Sequence, residues 1–259
     1  MGILNVTPDS FYDGGRYNGE DRAIGHAMTL VENGADIIDV GGESTRPNAE
    51  PVNIDEELRR VIPVIEKIRS RSDVTVSIDT YKAKVAGEAC SAGADIINDI
   101  SGLTFDAEMA PVAAGLGVYT VIMHIKGTPK DMQKDPHYDD VISEITDFFQ
   151  RQTETAKRAG IAEDRIILDP GIGFGKRVED NLRILRLLGE FKKLGKPILI
   201  GTSMKNFIGQ VTGSPVEKRS EGTLASIVVS LMNGADILRV HDVKKTQEAV
   251  KLVHAIMQS

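Results

Sequence analysis

Three polar residues, Asp79, Asn98 and Asp169, each stand at the end of a short apolar run: Val74 to Ile78, Ile96-Ile97 and Ile166 to Leu168. Carboxylates and amides held against an apolar interior must find hydrogen-bond partners or carry a large desolvation cost. A flat ligand with adjacent N–H donors, such as an amino-pyrimidinone edge, would satisfy all three at once. Asp169 alone, followed by Pro170, reads as the start of a turn. Three such groups converging read as a binding floor.

Cations occupy the equivalent places after other runs: Arg46, Lys205, Arg239 and His241. Such a cluster beside Gly-rich turns suits a phosphate or pyrophosphate, with Arg as a bidentate clamp. Arg239 and His241 are two residues apart, so an extended chain points them the same way. Asn5 closes the first run, and its oxygen together with phosphate oxygens suits a hard cation. The stretch Asp169-Pro-Gly-Ile-Gly-Phe-Gly-Lys176 has the wrong glycine spacing for a dinucleotide fingerprint or a P-loop. Its glycines read as letting backbone approach a flat ligand, with Phe174 offering an apolar face. His124 follows Met123 and reads as structural more readily than as a base. No Ser-His-Asp arrangement emerges, and no Cys/His spacing suits zinc.

These residues need elements to hold them. Eight apolar runs end on polar residues: Ile3-Leu4 on Asn5, Ile37 to Val40 on Gly41-Gly-Glu-Ser-Thr-Arg46, and the runs before Asp79, Asn98, His124, Asp169, Gly201-Thr-Ser203 and Arg239. Helical periodicity separates them, over Ala23–Glu32, Ile54–Arg69, Ala83–Ser91, Ile142–Ala159, Asn181–Leu188, Glu217–Met232 and Thr246–Met257, with a shorter candidate at Asp106–Gly115. Eight strand–helix alternations with polar strand exits predict an α/β fold, a (β/α)8 TIM barrel with its site at the C-terminal face. A repeat, Asn33-Gly-Ala-Asp36, Ala92-Gly-Ala-Asp95 and Asn233-Gly-Ala-Asp236, precedes three runs. Its Gly predicts a left-handed helix end on the face opposite the site. Thr7–Asp21 and Gly42–Asn53 read as long mobile loops that close over a substrate, and Lys126–His137 as a third long connection.

At 259 residues the chain matches one barrel, so residues 1–259 are read as a single domain. A net charge of -7 and no basic cluster argue against a nucleic-acid partner. The single cysteine, Cys90, excludes a disulfide within the chain. No run is long enough to span a membrane and no signal peptide is evident, so the protein reads as soluble and cytoplasmic.

Together the motifs resemble dihydropteroate synthases, the pterin-binding barrels of folate biosynthesis that sulfonamides target. The matching stretches are Met1-Gly-Ile-Leu-Asn-Val-Thr-Pro-Asp-Ser-Phe11, Asp39-Val-Gly-Gly-Glu-Ser-Thr-Arg-Pro47, Ser77-Ile-Asp-Thr80, Asn98-Asp-Ile-Ser-Gly102, Met123-His124 with Gly127-Thr-Pro129, Asp169 to Gly175, Ser203 with Lys205, and Arg239-Val-His-Asp-Val243. The resemblance implies a transferase that joins 6-hydroxymethyl-7,8-dihydropterin pyrophosphate to p-aminobenzoate, giving 7,8-dihydropteroate and pyrophosphate. By position, Asp79, Asn98, Met123, Asp169, Phe174 and Lys205 would hold the pterin. Asn5, Thr45, Arg46, Arg239 and His241 would hold the pyrophosphate, with Mg²⁺ on Asn5. Phe11, Thr45, Pro47, Phe174 and Ser203 would shape the p-aminobenzoate site. Asp79, Lys205, Arg239 and His241 would act on the reacting groups.

Two departures stand out. Met204 occupies the place where the family usually carries Arg, between Ser203 and Lys205, and the chain starts at the first strand where members generally have a short hairpin. The second departure predicts lowered stability more than lost chemistry. A methyltetrahydrofolate-dependent corrinoid methyltransferase would use the same pterin floor without needing the Ser-Thr-Arg-Pro loop or the Arg239/His241 pair. A catalytically silent pterin-binding subunit is the other alternative, and Asn5, Lys205 and Arg239 speak against it. The apolar residues of the last two helical segments, and the habit of the family, predict a homodimer.

Overall fold

The computed structural model describes residues 1–7, 16–45 and 49–259, with residues 16–19 described by backbone alone. Phe11, Arg46 and Pro47 lie outside the described residues. Six strands pair in parallel in chain order: β1 (Gly2–Asn5), β2 (Ile37–Gly41), β3 (Thr75–Asp79), β4 (Ile96–Asp99), β5 (Tyr119–Met123) and β6 (Ile166–Asp169). A second parallel pair comprises β7 (Leu199–Ile200) and β8 (Ile237–Leu238). Bridges from Leu168 to Ile198 and from Gly2 to Val240 join the two sheets into a closed ring. All eight apolar runs become strands of a TIM barrel.

Around the ring lie α1 (Arg16–Glu32), α2 (Ile54–Arg71), α3 (Ala83–Ser91), α4 (Met109–Leu116), α5 (Val141–Ala159), α6 (Val178–Arg186), α7 (Gly189–Lys192), α8 (Asn206–Thr212), α9 (Ser220–Met232) and α10 (Val243–Met257). Strand side chains alternate across the wall, as the period of two requires. Leu4, Ile38, Val40, Val76, Ile78, Ile97, Ile122, Leu168 and Ile200 face outward and bury the apolar stripes of the helices. Met1, Ile96, Val121, Ile167 and Leu199 face inward, with Ile37 and Ile237 against them, and plug the barrel. The polar residues sit above this plug, so the site has a largely apolar base.

Local signals fix several boundaries. Asn53 accepts a hydrogen bond from the Glu56 N–H at 2.9 Å to start α2, and Asp140 accepts from Ile142 and Ser143 to start α5. The repeats end helices as expected, with Gly34, Gly93 and Gly234 at φ of 92°, 118° and 98°. Their aspartates also cap neighbouring strands: Asp95 accepts the Val76 N–H and Asp236 the Ile198 N–H, at 2.9 and 2.7 Å.

Four expectations need correction. Helix α1 begins at Arg16 rather than Ala23, because its first residues are polar and carry no apolar period; residues 16–21, expected as loop, are helix. Helix α6 runs from Val178, where Asp180 accepts the Arg177 N–H at 3.0 Å, and not from Asn181. A 3-10 turn, Val216–Lys218, precedes α9 where continuous helix was expected. Helices α7 and α8 were not anticipated, being too short to show a period.

Candidate active site

Strand register places the chemistry. Asn5 pairs with Gly41, Gly41 with Asp79, and Asp79 with Asn98, which puts four strand exits in one row; Met123 pairs with Asp169 further round. Arg239 enters this row from the end of β8. Its Nε donates to Asp39 Oδ2 and a terminal nitrogen donates to Asp79 Oδ2, both at 2.6 Å. Asn98 Nδ2 donates to both oxygens of Asp39 at 3.2–3.3 Å. Arg239, Asp79 and Asn98, three of the expected residues, thus form one network.

Asp39, the hub of that network, is fully buried and was assigned no role from the sequence. The available signal was an aspartate inside an otherwise apolar strand, Ile37-Ile38-Asp39-Val40. An unpaired charge would not be tolerated there. Among the described residues Asp79 is bonded through one oxygen only; its buried Oδ1 has no hydrogen-bond partner there. Burial pushes the Asp79 carboxyl up to about 7, with Asp39 and Glu57 adding to the rise and Arg239 and Lys205 opposing it. Burial likewise raises Asp169 to about 6, against its hydrogen bond from the Gly171 N–H and the charges of Lys205 and Arg239. For Arg239, burial works against the charge, but Asp39 and Asp79 outweigh it and hold the guanidinium firmly protonated.

Lys205 caps α8 and lays its ammonium 4.1 Å from the Phe174 ring centre, a cation–π contact. Burial and Arg239 lower its pKa to about 8, while Asp169 and Asp79 support the charge. Met123 and Phe174 belong to an apolar cluster with Ile100, Ile125 and Met132, with Tyr81 packed against it. This cluster forms a wall beside the polar floor. Ser203 and His241 meet directly, Oγ to Nδ1 at 2.9 Å, so one residue expected at the arylamine and one expected at the pyrophosphate share a hydrogen bond. His241 is exposed and Arg239 is partly buried, its guanidinium turned toward Asp39 and Asp79. Thr45 is half-buried just beyond β2.

Two of the glycines of Asp169 to Gly175 are needed for packing against the chain itself. A Cβ on Gly171 would lie 2.0 Å from the His124 carbonyl oxygen, and one on Gly175 would lie 2.2 Å from that of Lys126. Both residues have positive φ, 67° and 64°. The close approach is therefore to the chain leaving β5, with Phe174 carried between.

A family model of pterin binding enzymes matches residues 1–241. Dihydropteroate synthase from Synechocystis is 49% identical over 257 residues, covering 99% of this chain and 89% of the relative. The chain belongs to the dihydropteroate synthase family. The Yersinia pestis dihydropteroate synthase, solved with a sulfonamide drug, superposes with a TM-score of 0.95 at 46% identity, over 100% of this chain and 94% of that one. The Clostridium difficile dihydropteroate synthase, solved in the presence of pteroic acid, gives a TM-score of 0.94 at 49% identity, covering 100% and 96%.

Proposed function

We propose that this chain condenses 6-hydroxymethyl-7,8-dihydropterin pyrophosphate with p-aminobenzoate. The observation that carries the division of roles is Asp79: a buried carboxyl with one oxygen on Arg239 and the other without a partner among the described residues. An amino-pyrimidinone edge supplies the missing donor. Asn98 and Asp169 complete the floor, and Met123, Phe174 and the stem of Lys205 cover the ring faces.

The C–O bond between the pterin methylene and pyrophosphate breaks, and the arylamine nitrogen takes its place and loses a proton. The electron-rich pterin delocalises the cationic methylene, so the protein's task is to stabilise leaving-group charge and to position a dry amine. Arg239 and His241 meet the leaving group; Ser203, Thr45 and Phe174 face the arylamine. Phe11, Arg46 and Pro47 join them by family position. An aniline nitrogen is already nucleophilic, so no strong base is required.

Mg²⁺ fits this donor set. A Cβ on Gly41 would lie 3.5 Å from Asp79 Cβ and 3.8 Å from Asn5 Oδ1, so the absent side chain leaves space beside a hard oxygen donor that no guanidinium holds. Among the described residues no group of three His, Cys, Asp or Glu converges, so the ion would be held by Asn5, phosphate oxygens and water. Bound there, it would neutralise charge on the departing pyrophosphate.

We further propose one domain over 1–259, a cytoplasmic setting and a homodimer. Val229 and Met232 on α9 and Leu252, Ile256 and Met257 on α10 are exposed large apolar residues, which support the last. No helix among the described residues is long and apolar enough to cross a membrane. The deciding experiment is pyrophosphate release with Mg²⁺, with and without p-aminobenzoate. Release that requires p-aminobenzoate and falls in Lys205→Ala and Asp169→Asn is expected; release indifferent to the arylamine would refute the reading.

A further inference from the structure

The mechanism above leaves the buried cation Lys176 unused. Lys176, which closes the Gly-rich stretch, is 3% exposed, yet its ammonium donates to His124 Nδ1 at 2.9 Å, the Phe174 carbonyl at 3.0 Å and the His124 carbonyl at 3.2 Å. Three N–H donors meet three acceptors, two of them on the segment leaving β5 and one on the loop leaving β6. Met123 and Phe174, the apolar wall of the floor, lie next to those acceptors in the chain.

We propose that Lys176 is a positioning residue for the pterin slot, stapling the two loops so that Met123 and Phe174 keep the spacing of one flat ring. This rests on the pterin reading given above. The surroundings leave the staple little freedom. Gly171 and Gly175 already press against the His124 and Lys126 carbonyls, and Tyr138 Oη holds the Gly175 carbonyl at 2.7 Å. The His124 ring packs edge-on against Phe148 with centres 5.0 Å apart. As an ammonium Lys176 can only donate to Nδ1, which puts the imidazole proton on Nε2; burial lowers the Lys176 pKa to about 7, so this arrangement belongs to the acid side of that value. The surroundings of His124 agree: burial, then Lys176 and Lys126, hold its pKa well below the usual value.

The test compares wild type, Lys176→Met, His124→Asn and His124→Leu. Calorimetry with 6-hydroxymethylpterin reads the slot without turnover, and steady-state kinetics reads KM for each substrate. Loss of a charge-assisted hydrogen bond predicts pterin affinity about tenfold weaker in Lys176→Met and His124→Leu. The p-aminobenzoate KM should change clearly less than the pterin affinity, because Ser203 and Thr45 sit on other loops and only Phe174 serves both substrates. Asn places an oxygen where Nδ1 was, so His124→Asn should retain affinity. In wild type, ¹⁵N spectra of His124 should show an unprotonated Nδ1 and a protonated Nε2; Lys176→Met should lose that signature. If Lys176→Met does not fold, the His124 pair decides: equal affinity in Asn and Leu variants overturns the staple. Wild-type protein that takes up no pterin overturns instead the reading on which the staple rests.

Discussion

Asp39→Asn removes one charge from the centre of the network while keeping its shape. Asp39 is fully buried and accepts from Arg239 at 2.6 Å and from Asn98 at 3.2–3.3 Å. An amide in its place offers one oxygen and one nitrogen, so either Arg239 or Asn98 faces a donor with a donor. Hydrogen bonds to charged groups contribute about 1.5–3 kcal/mol, neutral ones about 1. Breaking a buried ion pair costs about 3–5 kcal/mol, but Arg239 keeps Asp79, so the lower part of that range applies. The expected loss is about 2–3 kcal/mol. With a slope near ~3 kcal/mol per molar, the urea midpoint should fall by about 1 M. A second consequence follows from electrostatics: Asp39 raises the Asp79 pKa, so removing its charge should lower that pKa from about 7 and move the acid limb of pterin binding to lower pH. Urea unfolding and calorimetric titration across pH measure the two effects. A double-mutant cycle with Arg239→Met should show coupling of about 0.5–3 kcal/mol. An unchanged midpoint with additive single effects would show that Asp39 does not anchor Arg239.

Other consequences are equally specific. Gly171→Ala should destabilise by about 3 kcal/mol or more, because Cβ would sit 2.0 Å from a carbonyl oxygen at a positive φ; wild-type unfolding behaviour would refute the interlock. Asp79 and Asp169 titrate near 7 and 6 when folded but from 3.8 without burial, so the folded state binds more protons between those values. Their contribution to stability therefore falls as pH rises from about 4 to 7. Scans of wild type and the Asp79→Asn/Asp169→Asn variant should differ in that slope and run parallel above pH 8. Donors on the pterin favour the ionised carboxyls, so binding at pH 6.5 should release protons, seen as heats that depend on buffer ionisation; equal heats in two buffers would refute it. Asp236→Ala removes the acceptor of the Ile198 N–H and the partner of Lys192, on the face away from the site. It should cost about 1–3 kcal/mol in unfolding experiments while leaving KM per folded molecule unchanged.

Much of this was legible in the chain because barrel strands announce themselves by short apolar runs and helices by a 3.6-residue period. Polar residues at strand exits follow from the same geometry: side chains beyond the plug reach the mouth. Where helices lacked a period, as at the polar start of α1 or the short α8, the sequence was silent on them. Pairwise chemistry was a matter for the tertiary structure. Asp39 and Arg239 are 200 residues apart, and only ring closure through Gly2 and Val240 brings them within 2.6 Å. The glycines after Asp169 show the same division. Their need for freedom was visible in composition, yet what presses on them is the carbonyl backbone of a neighbouring strand exit, set by register. Residue type and spacing determine which groups can reach the mouth, because strand direction is local. Which of them touch depends on strand stagger around a closed ring, and that is a property of the whole chain.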